Sequence, residues 1–529
     1  MRNSNAEGTN QSGILTCPRL HSSYSLVALT GLLVSPTTSA SSVDETIDAI
    51  VGPLANGIST LVFYPLPFFG HSFPIVVFLL IVAAAFFTIY FNFLNIRGFR
   101  HAIRVARGDF ANPAHTGDVS HFQALATAVS GTVGIGNIGG VAVAISVGGP
   151  GATFWMILAG LLGMSTKFVE CTLSVKYRQV NEDHSVSGGP MYYLSRGLAD
   201  LRMPRLGKTL GVFYAIGIVI GCMGIGNMFQ SNQAFAQILN VSGGAEASWL
   251  VGKGWLAGMV FAGLIALVVL GGIQSIARVT GRVVPFMAIT YSVGAIAVIG
   301  WNHEALPFAL DAIISGALTS EGLYGGAIGA MIVGFQRAVF SNEAGIGSAA
   351  IAHAAARTED PAAEGYVALL EPFIDTVVVC TLTALVIVTT LYYVPGFTDG
   401  LGGIEMTSAA FERNFSGAPY FIALAGVLFA YSTMLAWCYY GLKGWTYLVG
   451  EGRAADLGFK ATFCAFTVLG ASTQLSTVLD FSDAMVFLIC IPNLLGLFLL
   501  APMVKQELAR YELKHRRTTA APRPLHKSD

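Results

Sequence analysis

The sequence predicts an all-α polytopic membrane protein, built as two five-helix halves in inverted orientation with one extra transmembrane helix in front. Three observations carry that expectation. The 529 residues are 54% hydrophobic and only 11% charged, too apolar to cover soluble domains of that size. Apolar stretches suited to a hydrocarbon core of about 30 Å recur, giving about eleven spans. Two of these stretches are interrupted by the same Gly-Ile-Gly triplet, at 134–136 and at 345–347, which is 211 residues later.

At the start of the chain, Leu26 to Val34 is apolar but too short to span, follows Arg19 and is followed by Pro36, Thr38, Ser39 and Ala40. Residues 1–40 read as a signal peptide cleaved near Ala40; the alternative is an uncleaved peripheral segment. Residues 41–72 are expected as an extracytoplasmic segment with a Pro-rich turn from Pro65 to Gly70. The extra helix occupies 73–95, apolar from Phe73 to Phe93. The first repeat, 118–301, contains spans at 121–148, 152–175, 210–239, 255–272 and 283–301. The second, 326–504, contains spans at 326–355, 366–393, 418–442, 461–477 and 482–504, and 505–529 is a basic tail.

Orientation follows from Lys and Arg. Arg97, Arg100, Arg104 and Arg107 follow the first helix; Lys176, Arg178, Arg196, Arg202, Arg205 and Lys208 follow the third. Arg278 and Arg282, Arg357, then Lys443, Arg453 and Lys460 fall in alternate loops on the same side as the tail, while the opposite loops hold only Lys253 and Arg413. Because the Lys/Arg excess marks the cytoplasmic side, the tail is expected inside and the mature N-terminus outside, in the cell inner (plasma) membrane. A formal net charge of -1 gives no reason to expect a nucleic-acid partner. Cys171, Cys222, Cys380, Cys438, Cys464 and Cys490 lie in apolar runs and read as small buried hydrophobes. No metal-ligand cluster, nucleotide loop or nucleophile motif is found, so an enzyme is not expected and no cofactor is implied.

The two interruptions carry the chemistry. Ser130-Gly131-Thr132-Val133-Gly134-Ile135-Gly136-Asn137-Ile138-Gly139-Gly140 places five glycines in mid-membrane, and Phe340-Ser341-Asn342-Glu343-Ala344-Gly345-Ile346-Gly347-Ser348 is the second break. Unwound backbone at that depth is tolerated only where it is buried in protein or lines a cavity. Five helices separate the breaks, so the halves enter from opposite sides, and paired Gly-interrupted spans point to a transporter's central site. Exposed N–H groups at half-helix N-termini suit a carboxylate, and freed carbonyls suit a cation. A zwitterionic amino acid with sodium fits both. Gly139 and Gly140 are read as close-packing residues instead.

Polar side chains at membrane depth extend this reading. Gln230 can reach a bound substrate, or hydrogen-bond between helices as Asn232 and Gln233 are expected to do. Ser432 and Thr433 are adjacent hydroxyls that suit a hard cation. Lys167 and Glu170, three apart on one helix face, are expected to pair with each other. Glu343, inside the second break, is given a gating role or a structural pairing with Arg337. Glu371 and Asp375 are read as cytoplasmic-end network residues. No His falls within the expected central site, which disfavours a His proton relay.

These residues resemble a known family, the alanine or glycine:cation symporters, also called sodium:alanine symporters. The resemblance runs over most of 73–504 through Thr132 to Ile138, Gly148-Gly149-Pro150-Gly151-Ala152, Gly188-Gly189-Pro190-Met191-Tyr192-Tyr193, Gly334-Phe335 with Ser341 to Gly345, and Ser432-Thr433 with Trp437, Tyr439, Tyr440 and Gly441. It implies a LeuT-type five-plus-five fold. It further implies that amides from Gly134 through Ile135 and Gly136 to Asn137 bind the substrate carboxylate. Carbonyls of Ser130 and Val133 with the Ser432 and Thr433 hydroxyls would form the sodium site. Asn137, Gln230 and Trp437 would touch substrate, Trp437 limiting pocket size, with Thr433 touching either ligand. The expected activity is sodium-coupled uptake of a small neutral amino acid, alanine or glycine, by alternating access. A proton-coupled carrier using Glu343, and then a channel, are the alternatives.

Overall fold

The computed structural model describes residues 57–68, 71–182, 184–319, 326–391 and 401–520. The expected signal peptide and the start of the extracytoplasmic segment lie outside these residues. The expected Pro-rich turn is instead part of a hairpin: β1 (Pro65–Phe68) pairs antiparallel with β2 (His71–Pro74), Pro65 opposite Pro74. A proline at each outer end is compatible with a two-stranded ribbon, where its missing N–H is not needed by a further strand.

The extra helix is α1 (Ile75–Tyr90), followed by α2 (Phe99–Arg107). The first half continues with α3 (His121–Thr132), α4 (Val141–Gly148), α5 (Gly151–Lys176), α6 (Pro190–Asp200), α7 (Pro204–Met223), α8 (Phe229–Val241), α9 (Gly254–Val269) and α10 (Gly272–Trp301). After α11 (Leu306–Leu318), the second half contains α12 (Gly326–Asn342), α13 (Ala349–His353), α14 (Pro361–Ala368), α15 (Thr381–Thr390), α16 (Ile404–Glu412), α17 (Ala418–Val449), α18 (Arg453–Ser472) and α19 (Leu475–Ala520).

Among the described residues seven helices are long and apolar enough to cross a membrane, and eight if α3 and the bent continuation through α4 count as one. The three remaining stretches expected to span are shorter: α1, α9, and α12 with the five-residue α13. A start signal is visible at α3, where the Ser120 hydroxyl accepts the Gln123 N–H and the Gln123 side chain accepts the Ser120 N–H in return. α1 and the turn after it are held along α5 by Thr88 Oγ1 on the Leu162 carbonyl (3.2 Å) and Asn95 Nδ2 on the Leu161 carbonyl (2.8 Å). α10 presents Phe286, Ile289, Val293 and Ile296 outward, each more than half exposed, as a lipid-facing stripe requires.

Several boundaries differ from expectation. α10 begins at Gly272 rather than 283, so Arg278 and Arg282 lie on the helix and not in a loop. Their long stems allow them to sit on a helix end and still reach polar surroundings. The expected basic tail is helical as far as Ala520, because α19 is docked by side chains along its length. Lys176 Nζ meets Glu507 at 2.6 Å, His101 Nε2 meets the Tyr511 hydroxyl at 2.9 Å, and Lys514 Nζ meets Asp360 at 2.7 Å. Helices α2, α6, α11 and α16 lie between the apolar stretches and were not expected.

Candidate functional site

Both glycine triplets do break their helices, and the breaks meet. α3 ends at Thr132, Val133 leaves the helical path with ψ 86°, and the chain resumes as a π-helical turn, Gly136–Gly140, bent 51° from α3. α12 ends at Asn342, and Glu343, Gly345 and Gly347 adopt φ of 57°, 95° and 87° before α13. Gly345 and Gly347 supply left-handed backbone at little cost, but Glu343 carries a side chain there and is held in place by two partners. Its carboxylate accepts the Ser348 hydroxyl and, at 3.0 Å, the Trp437 indole N–H. The same indole N–H reaches the Gly131 carbonyl at 3.3 Å, so Trp437 on α17 ties one break to the other.

The amide groups of the first break face side-chain oxygens. Gly134 N–H donates to Asn137 Oδ1 (2.8 Å) and Ile135 N–H to Gln230 Oε1 (3.2 Å). Gln230 is anchored through Nε2 to the Ile225 carbonyl at 3.0 Å. Thr433 lies over Gly134 so closely that a Cβ there would fall 2.4 Å from Thr433 Oγ1, which requires glycine. Gly136 faces the second break, where a Cβ would lie 3.8 Å from Ser341 Cα.

α3 and α17 together assemble oxygens beside this break. Thr433 Oγ1 donates to the Ser130 carbonyl (2.9 Å), and Ser130 Oγ donates to the Ser432 carbonyl (2.6 Å). The Ser432 hydroxyl does not join them: it turns back to the Phe429 carbonyl at 3.0 Å, as a helical serine commonly does. Ser432 therefore contributes its carbonyl, not its hydroxyl, to this group. Val133 uses its N–H on the Val129 carbonyl at 2.7 Å.

Asp375 stands where sequence reasoning did not put it. Expected in a network at a helix end, it lies in a π-helical stretch, Phe373–Cys380, and bridges the two breaks. Asn137 Nδ2 donates to its Oδ1 (2.6 Å), Ser341 Oγ to its Oδ2 (2.9 Å), and Thr376 Oγ1 to the same oxygen (2.6 Å). It is fully buried, and its hydrogen bonds are all from neutral groups. A buried carboxylate held by neutral donors is a place for a cation or a bound proton.

Other expectations are corrected by tertiary geometry. Lys167 pairs across helices with Glu371 (3.0 Å, both fully buried), not with Glu170. Glu170 instead accepts the Gly345 N–H (3.0 Å) and Asn493 Nδ2 (2.8 Å), bracing the second break. Arg337 bonds Asp483 on α19, not Glu343. Asn232 hydrogen-bonds the Gly470 and Thr473 carbonyls and Gln233 Oε1 accepts the Ile404 N–H, the helix-to-helix role expected of them. Gly139 does permit close approach, a Cβ there lying 2.9 Å from the Ile404 amide, whereas Gly140 has open space beside it.

A buried pair of broken helices joined by polar side chains is a candidate ligand site of a carrier. Comparison with known proteins gives the family. The sequence pattern of the sodium:alanine symporter family matches residues 66–524, and the chain belongs to that family of membrane transporters. It is similar to the sodium/alanine symporter AgcS of Methanococcus maripaludis, 39% identical over 82% of this chain and 93% of that one. It also resembles the amino-acid carrier protein AlsT of Bacillus subtilis (35% identical, 80% and 86% covered) and the probable sodium/glutamine symporter GlnT of the same organism (32%, 82% and 87%). In fold it resembles the crystal structure of MhsT in complex with L-phenylalanine, with a TM-score of 0.51 at 13% identity over 74% of this chain and 98% of that one. The helical core is thus LeuT-type.

Proposed function

We propose that this chain is a sodium-coupled symporter that takes up a small neutral amino acid, alanine or glycine, by alternating access. The observation that carries the reading is the facing of the two breaks around Asp375 and Trp437. In this arrangement the Gly134 and Ile135 N–H groups are held by the neutral oxygens of Asn137 and Gln230. A substrate carboxylate is a stronger acceptor and can take their place. Asp375, within reach of the same break through Asn137, offers the negative charge that an ammonium group needs. Its proposed partner role was not legible from a helix-end assignment.

The sodium ion is assigned to the Ser130 and Ser432 carbonyls, the Val133 carbonyl freed by the break, and the Thr433 hydroxyl, all oxygen donors of the kind a hard cation takes. Because those oxygens belong to α3, the break that follows it and α17, the ion would hold the two helices together and fix the amides that receive the carboxylate. Coupling of this kind is reciprocal: each ligand raises the other's affinity by the same factor. Trp437 closes the pocket on the side-chain end. The proposed topology has eleven spans, a first repeat at 118–301 and a second at 326–504, the mature N-terminus outside and α19 ending in the cytoplasm.

Names of relatives include both alanine and glutamine symporters, so side-chain size is the property to test. The deciding experiment is labelled alanine uptake into proteoliposomes with and without an inward sodium gradient, with glycine, serine, leucine and glutamine as competitors. Sodium-driven uptake blocked by glycine but not by leucine or glutamine supports the reading. Uptake indifferent to sodium but abolished by collapsing a pH gradient replaces it with proton coupling.

A further inference from the structure

A chain of buried titratable side chains runs from the foot of α3 to the second break, outside the ligand geometry described above. His121, the first residue of α3, meets Glu364 through Nδ1, and the other oxygen of Glu364 meets His353 Nδ1 at 2.7 Å. Farther in, Glu371 Oε1 holds Lys167 Nζ at 3.0 Å. His353, Glu364, Glu371 and Lys167 have no exposed side-chain surface, and His121 has 5%. Between the two pieces is a gap. His353 Nε2 and Glu371 Oε2 face each other at 3.7 Å, and among the described residues neither atom has a hydrogen-bond partner.

Imidazole chemistry accounts for this gap. Glu364 presents only acceptors, so the Nδ1 facing it on each ring is the protonated nitrogen. A neutral His353 then has a bare lone pair at Nε2. An ionised Glu371 offers lone pairs as well, and two acceptors do not bond. One added proton turns the pair into donor and acceptor, which can close to a normal hydrogen-bond length of about 2.8 Å. We propose that the gap between His353 and Glu371 is a binding site for a single proton, and that its occupation loosens the second helix break.

His353 meets Glu364 through Nδ1 and faces Glu371 across the gap; His121 lies on the far side of Glu364 and Lys167 on the far side of Glu371. Glu170 and Cys171 on α5, Glu343 in the second break and Tyr440 on α17 act on Lys167 and Glu371. Arg178 Nη1 donates to the Ala354 carbonyl, one residue along from His353, at 2.8 Å. A proton shared by His353 and Glu371 weakens the hold of Glu371 on Lys167. One turn along α5 is Glu170, which accepts the Gly345 N–H at 3.0 Å. Lys167 turning toward Glu170 finds its unpartnered Oε2, and the positive charge drawn onto the carboxylate weakens the hold of Oε1 on the Gly345 N–H. The entry point beside His121 lies on the face that carries Arg178 and Arg357, which the proposed topology puts in the cytoplasm.

The proton site stands on geometry alone; its effect on transport rests on the sodium-coupled reading. Two measurements separate them. In purified full-length protein labelled with 15N-histidine, the resonance lost in H353Q is followed from about pH 5 to 9. The expected result is a change at Nε2 from bare to protonated within that range, and its displacement in E371Q; a ring unchanged across the range overturns the proposal. In proteoliposomes with a fixed sodium gradient, internal pH is varied. Wild-type alanine uptake is expected to change at least about threefold between pH 6 and 8, and H353Q, checked to be monodisperse, is expected to lose that dependence. A pH profile retained in H353Q overturns the link to the break. A titrating His353 in a protein that shows no sodium-driven alanine uptake at any pH counts against the proposed substrate and ion, and leaves the proton site standing.

Discussion

Gly226 and Trp437 share one space: a Cβ on Gly226 would lie 2.1 Å from Cγ of the indole. Backbone, not side chain, is therefore what backs the ring, and the indole has no room to retreat when a larger ligand arrives. With its N–H fixed on Gly131 and Glu343, Trp437 is a rigid wall. Trp437→Ala is expected to let leucine compete with alanine at least about tenfold better, while removing a large buried side chain costs about 3–5 kcal/mol of stability. Competition assays with a melting curve on the same preparation check both; unchanged selectivity would remove Trp437 from the pocket.

Asp375→Asn keeps the size and can still accept from Ser341 and Thr376, but it removes the charge and sets an NH2 group against the Asn137 Nδ2 donor. Alanine affinity is expected to fall by about two orders of magnitude, the usual penalty for truncating one partner of a buried charge contact. Binding measured by calorimetry at saturating sodium tests this. Full retention of affinity would mean that the carboxylate is protonated or structural.

Thr433→Ala removes a hydroxyl from the Ser130 carbonyl without disturbing the backbone oxygens beside it. Half-saturating sodium is expected to rise about five- to tenfold, in line with roughly 1 kcal/mol for a buried hydrogen bond. Alanine affinity at saturating sodium should change less. Ser432→Ala is the contrast, since its hydroxyl points to Phe429 and its carbonyl survives the substitution; sodium dependence should hardly move.

The buried Lys167–Glu371 pair predicts a non-additive response. Lys167→Met leaves Glu371 charged and uncompensated, which typically costs about 3–5 kcal/mol, whereas Lys167→Met with Glu371→Gln removes both charges and should recover much of it. Thermal unfolding in detergent reads the difference. Equal losses in the single and double variants would show that the two charges do not depend on each other.

His101 gives a pH dependence outside the membrane-spanning segments. Burial, with His515 and Arg104 nearby, lowers its pKa from 6.5 to about 4. The folded state thus prefers the neutral ring. Its contribution is fully present above about pH 6.5 and is lost as pH falls toward 4. Protection factors against hydrogen exchange, corrected for the intrinsic pH dependence of the amides, are expected to fall in 99–107 and 505–515 over that window as the contact of His101 with Tyr511 weakens, and His101→Phe should flatten the response.

Much of the architecture was legible in the sequence because lipid imposes simple rules: apolar length placed the long helices, and glycine clusters placed both breaks. The local pairing of Lys167 with Glu170 failed for the opposite reason. Spacing along one helix says which side chains can meet, but Glu371 arrives from another helix and offers a closer, better aimed carboxylate. Asp375 was hidden in the same way, since nothing near Pro372 in the chain signals that Asn137 and Ser341 will converge on it. Glu343 looked like a partner for Arg337 until its left-handed backbone turned it toward Trp437. The helical continuation to Ala520 was obscured by its charge, which suggested a tail rather than a docked surface.

Three π-helical turns lie at the candidate site: Gly136–Gly140 contains Asn137, Phe373–Cys380 contains Asp375, and Gly224–Met228 ends just before Gln230. A π-turn winds in more residues than an α-turn, and Gln230 already reaches the Ile225 carbonyl within one of them. If such a turn relaxes to α, the residues downstream rotate by about 100° per residue taken up, with no peptide bond and no helix lost. The protein thus carries its spare thread wound into the walls, and can re-aim a side chain by changing the pitch of a helix rather than by unravelling it.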